Sequence, residues 1–123
     1  MTIKEAISKA DALNPNQYLD DIKVGWLSDL DYQIYFDVLC EHEPIPTDGF
    51  VPYTIEDLDK DLIVSDPFTE VYTAYLDMKV DEANKETSRY NNSVMFFNAK
   101  YEAFAKNYHK NHKPVFRTKF RLW

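Results

Sequence analysis

A chain of 123 residues with one cysteine and two glycines is expected to form a single domain. That length buries roughly two-thirds of the unfolded surface, the lone cysteine can close no intrachain disulfide, and so few glycines disfavour Gly-rich phosphate loops and serial tight hairpins. The net charge of −7 is unevenly divided: residues 1–99 carry 20 acids against 7 Lys and Arg, or −13, while residues 100–123 carry Glu102 against 7, or +6. An acidic body repels nucleic acid, whereas a short basic arm suits phosphate or the acidic face of another protein.

The first element opens on Thr2-Ile3-Lys4-Glu5, a capping box. Ile3, Ile7, Ala10 and Leu13 then share one helical face until Asn14-Pro15 stops the helix. A second helix is expected from Asp20-Asp21, whose carboxylates suit the positive N-terminal end, with Ile22, Trp26, Leu27, Leu30, Ile34 and Val38 turned inward.

Residues 41–66 hold Pro44, Pro46, Gly49 and Pro52 and lose the helical period. At 26 residues this connection is longer than most, and such loops tend to carry function. A short helix capped by Thr54 is expected at residues 54–62. The acids Glu41, Glu43, Asp48, Glu56, Asp57, Asp59, Asp61 and Asp66 face only Lys60, which places the stretch on the surface.

Asp66-Pro67 is the expected start of a third helix, with aspartate as cap and proline fixing the first helical φ. Its apolar stripe is Phe68, Val71, Tyr72, Tyr75, Leu76, Val80 and Ala83, leaving Asp77, Asp81, Glu82 and Glu86 on the wet face. Tyr90, Val94, Phe97, Tyr101, Phe104 and Tyr108 form the seam of a further helix. Asn91-Asn92-Ser93 is read as a break with a new cap. Pro114 ends the last helix, and the residues after it favour an extended strand.

These elements predict an all-α fold: a small bundle of about four helices, residues 1–113, with a long acidic loop and an extended C-terminal arm, residues 114–123. The arm, PVFRTKFRLW, alternates apolar and cationic side chains. Disordered tails are usually poor in large apolar groups, so Val115, Phe116, Arg117, Lys119, Phe120, Arg121, Leu122 and Trp123 are read as a partner-binding ribbon. A partner's groove or sheet edge would hold it.

Other motifs carry less. Asp57-x-Asp59-x-Asp61 begins like a calcium loop, but Leu62 and Phe68 stand where the sixth-position glycine and the closing glutamate belong. His109-x-x-His112 lies among Lys106, Lys110 and Lys113, which repel a metal ion, with Cys40 and His42 remote in sequence. No nucleophile-base pair, G-x-S-x-G, H-E-x-x-H or Walker loop occurs, and no nucleic-acid module. We expect no catalytic residue, no cofactor and no metal. The opening MTIKEAISKA has neither the cationic nor the apolar region of a secretory signal, and no run reaches the ~20 apolar residues of a membrane span; the expected setting is the cytoplasm. Aromatics at 15%, led by nine tyrosines, suit both a core and subunit contacts.

Five segments together resemble the head-to-tail connector, or adaptor, proteins of long-tailed phages and prophages of Gram-positive bacteria. They are Asn14-Pro15-Asn16-Gln17-Tyr18, Trp26-Leu27-Ser28-Asp29-Leu30-Asp31, Phe50-Val51-Pro52-Tyr53, the helix around Tyr72 and Asp81, and Arg89-Tyr90-Asn91-Asn92-Ser93 leading to Phe97-Asn98. The likeness spans about residues 1–114, and PVFRTKFRLW matches least. It implies a virion neck protein, made in the host cytoplasm, that forms a ring of typically twelve copies under the portal. Such a ring extends the DNA channel, lets DNA pass without specific binding, and meets a tail-side stopper protein. Carried over, Arg117, Lys119 and Arg121 would meet acidic portal groups, and Phe116, Phe120 and Trp123 would fill apolar pockets. Glu41, Glu43, Asp48, Glu56, Asp57, Asp59 and Asp61 would line the lumen or touch the next ring. The alternative reading is an acidic helical regulator or inhibitor that binds a host or phage protein.

Overall fold

A computed structural model describes residues 1–115 of the chain. Four helices account for most of them: α1 (Ile3–Leu13), α2 (Asp20–Asp37), α3 (Glu70–Ala83) and α4 (Thr87–Asn111), an all-α bundle. Among the described residues there are only isolated antiparallel bridges, Thr2 with Asp61 and His42 with Pro114.

The N-terminal capping box forms as expected: Glu5 N–H donates to Thr2 Oγ1 at 3.1 Å and Thr2 N–H to Glu5 Oε1 at 2.9 Å. Two more free donors of that first turn are satisfied from outside the helix, because Ile3 and Lys4 N–H donate to the Lys60 and Leu58 carbonyls at 3.0 and 2.9 Å. The long loop is thus stitched to the start of α1.

α3 is the centre of the bundle, packing against α1, α2 and α4. Val71, Tyr72 and Leu76 are buried on it, against Ile3 and Ile7 of α1, Val24, Leu27, Leu30 and Ile34 of α2, and Phe104 of α4. α3 and α4 form a helical hairpin. The turn between them is a Schellman motif, with Lys85 N–H donating to Glu82 O and Glu86 N–H to Asp81 O, both at 3.1 Å. Lys85 has φ 59° there, a left-handed conformation that glycine adopts more cheaply.

Several expected boundaries and faces change. α3 begins at Glu70 rather than at Pro67, because Asp66 Oδ1 accepts from the Thr69 hydroxyl at 2.9 Å instead of capping a helix. The break in the second half falls at residues 84–86, and Asn91-Asn92-Ser93 lies inside continuous helix; the Ser93 hydroxyl is spent on Asp81 of α3 rather than on a cap. The helix expected at 54–62 is a single 3-10 turn, Ile55–Asp57, capped by Thr54. Ile22 and Ala83 are exposed, and Lys23, Ser28 and Asp31 take buried positions on α2.

Candidate functional site

The acidic loop is anchored by a buried carboxylate. Asp31, fully buried on α2, accepts at Oδ2 from the Tyr53 hydroxyl at 2.5 Å and from Ile63 N–H at 3.1 Å. Its Oδ1 accepts from the Tyr72 hydroxyl at 2.7 Å. Tyr72 in turn accepts from Val64 N–H at 2.7 Å, and Tyr53 N–H donates to Ser28 Oγ at 3.0 Å. Burial pushes the Asp31 carboxyl above the usual carboxylate range, partly offset by the hydrogen bonds from Tyr53, Tyr72 and Ile63. Both phenols are held far above the ordinary tyrosine range, first by burial and then by the charge of Asp31. A buried charge with three donors is costly to break, since removing one partner leaves the others unpaired.

With Tyr53, Leu62 and Val64 pinned into the core, the loop's acids are turned outward. Glu41, Glu43, Asp48, Glu56, Asp59 and Asp61 are exposed. Asp57 is half-buried, its carboxylate accepting from Thr54 N–H at 2.7 Å. Gly49, at φ 75°, makes the turn that presents Asp48 and Phe50, and its N–H donates to the Tyr35 hydroxyl at 3.0 Å.

The arm begins on its own domain. Glu43 N–H donates to Lys113 O at 2.7 Å and Val115 N–H to Glu41 O at 3.0 Å, so residues 113–115 run antiparallel to residues 43–41. Beside this pairing, His42 Nδ1 donates to Val38 O at 2.7 Å, which leaves its Nε2 to accept from His109 Nδ1 at 3.0 Å. Tyr108 packs edge-on against His42 and stacks on His112. The histidines, remote in sequence, meet at one corner of the bundle, a junction that helical spacing alone does not reveal. Of the predicted arm, Val115 is half-buried here; Phe116, Arg117, Lys119, Phe120, Arg121, Leu122 and Trp123 lie outside the described residues.

A second polar feature overturns one reading of the sequence. Asp81 is buried and Asp77 half-buried, not on a wet face. Asp81 Oδ2 accepts from Ser93 Oγ, while Oδ1 has no hydrogen bond and lies 3.8 Å from Arg89 Nε. Asp77 is pushed up by burial and by the charge of Asp81, against a hydrogen bond from Asn14. These groups line a shallow polar cleft of about 370 Å³ between α1, α3 and α4. The i, i+4 spacing of the two aspartates was the available signal; that α4 would cover them was not. Among the described residues no set of three or more His, Cys, Asp or Glu is placed to hold a metal ion, and no described helix is long and apolar enough to cross a membrane.

No protein-family model, curated protein or solved structure matches the chain. Fold and surface define its class directly: a small all-α protein with an anchored acidic loop and a C-terminal segment that leaves from the end of its longest helix.

Proposed function

We propose that the protein is a structural head-to-tail connector of a long-tailed phage or prophage, forming a ring under the portal and linking the filled head to the tail-side neck. The single observation that carries this reading is the division of the chain into a closed acidic bundle and a basic, aromatic terminal segment beginning beyond α4. The segments that carry the resemblance each contribute a side chain that locks elements of the bundle together. Tyr18 donates to Asn84 at 2.7 Å and packs on Trp26; Asp31 holds Tyr53 and Tyr72; Arg89 and Ser93 engage Asp81.

In this reading the arm clasps the portal, with Arg117, Lys119 and Arg121 on acidic groups and the rings in apolar pockets. The exposed carboxylates of residues 41–61 face the channel or the next ring, where repulsion leaves passing DNA mobile. The test is to mix the purified chain with its cognate portal and image the product by electron microscopy. A ring seated on the portal is the expected result. Tight one-to-one capture of a host protein with no such ring would favour the regulator instead and overturn the connector.

A further inference from the structure

The polar cleft between α1, α3 and α4 is lined by Asp81, whose Oδ1 is the one buried side-chain nitrogen or oxygen among the described residues with no hydrogen-bond partner. Asp81 is only 3% exposed, and a buried acceptor left without a donor carries its full desolvation penalty. The neighbouring cation does not close the gap: Arg89 Nε stands 3.8 Å away, beyond hydrogen-bond length, while Arg89 Nη1 is paired with Glu86 Oε2 at 3.1 Å. The other walls add acceptors. Asp77 lies one turn before Asp81 on α3, and Asn92 of α4 lines the same space. Leu13 and Asn14 close α1 there, which brings the negative end of that helix beside the cleft. Two carboxylates against one guanidinium leave the cleft net negative. Its volume of about 370 Å³ is many times the ~30 Å³ share of one water.

We propose that this cleft binds a small primary amine as its ammonium ion, with N–H donors to Asp81 Oδ1 and the Asp77 carboxylate and the alkyl stem against Leu13. A primary ammonium carries three donors and no acceptor, which answers a site whose surplus is acceptors. A divalent metal ion fits less well. It would find two carboxylates only, with the Arg89 guanidinium beside them and Asn14 donating to Asp77. Arg89 is the gate: 61% of its side chain is exposed, so it can turn outward on Glu86 as the amine enters. Until it does, its like charge at the mouth weakens binding. The inference does not rest on the connector reading.

The test is an NMR titration of the isotope-labelled full chain with n-butylammonium chloride at fixed ionic strength, read at the side-chain amides of Asn14 and Asn92 and at Arg89 Nε–H. Saturable shifts at these groups are expected in the millimolar range. Tetramethylammonium, equal in charge but without an N–H donor, should give none. Asp77→Asn, which keeps an acceptor for Asn14, is expected to weaken binding about tenfold, and Asp81→Asn at least as much. Arg89→Gln should strengthen it several-fold. Asp77 is half-buried and Arg89 exposed, so those two variants report even where Asp81→Asn fails to fold. Absence of saturable shifts, equal shifts with tetramethylammonium, or an affinity unchanged by Asp77→Asn overturns the proposal. So do shifts that magnesium chloride produces at lower concentration than the amine, which would assign the cleft to a metal ion.

Discussion

Asp31 shows how much one side chain decides. It ties α2 to α3 through Tyr72 and to the loop through Tyr53 and Ile63. Asp31→Ala strands two buried hydroxyls and an amide and is expected to cost about 3 kcal/mol or more in urea unfolding, whereas Asp31→Asn, which keeps one acceptor oxygen, costs less. The pH dependence has a definite sign. Because burial raises the carboxyl in the folded state, the native chain holds this proton more tightly than the unfolded chain. The contribution of Asp31 to stability is therefore greatest below the ordinary carboxylate range, near pH 4, and falls as pH rises through the raised native value. The stability of the native sequence relative to Asp31→Asn is expected to improve as pH is lowered from 7 toward 4; a decline would mean that the hydrogen bonds outweigh burial.

At the scale of elements, the α3–α4 turn is strained at one residue. Lys85 occupies the left-handed position of the Schellman motif, so Lys85→Gly is expected to raise stability by about 0.5–1 kcal/mol, read as a higher midpoint in thermal or urea unfolding. The seam of α4 should be far less tolerant. Phe104 is its one buried residue, contacting Phe68, Tyr101 and Tyr108, and Phe104→Ala is expected to cost about 3 kcal/mol. The existence and order of the helices were legible because their apolar residues recur at helical spacing and because Thr2-x-x-Glu5 and Asn14-Pro15 mark the ends of α1 chemically. The misplaced breaks share one cause. Asp66, Asn91, Asn92 and Ser93 are residue types that cap helices, but a cap competes with any other partner, and Thr69 and Asp81 took Asp66 and Ser93.

For the whole molecule, the separation of acidic body from basic segment makes removal of residues 116–123 the informative truncation. The described core is built from residues that precede them, so the helical circular dichroism should persist and the melting temperature should be nearly unchanged. On the connector reading, attachment to the portal should be lost. Reversing Arg117, Lys119 and Arg121 to glutamate should weaken that attachment more at low than at high salt, because exposed charge pairs are screened; binding of equal strength at both salts would count against a charge-guided clasp.

The sequence by itself determined the helical class, the helix order, the first cap and the outward setting of the loop's acids, because periodicity and capping are local properties that a few neighbouring residues dictate. The candidate loop was legible as a long acidic connection, but not what fastens it, since Asp31, Tyr53 and Tyr72 are separated by 22 and 41 residues. Tertiary structure alone decided that Asp81 is buried under α4, that His42 meets His109, and that Asp31 gathers Tyr53, Ile63 and Tyr72. Those outcomes depend on which faces meet when four helices close on one core, and no local pattern encodes that meeting.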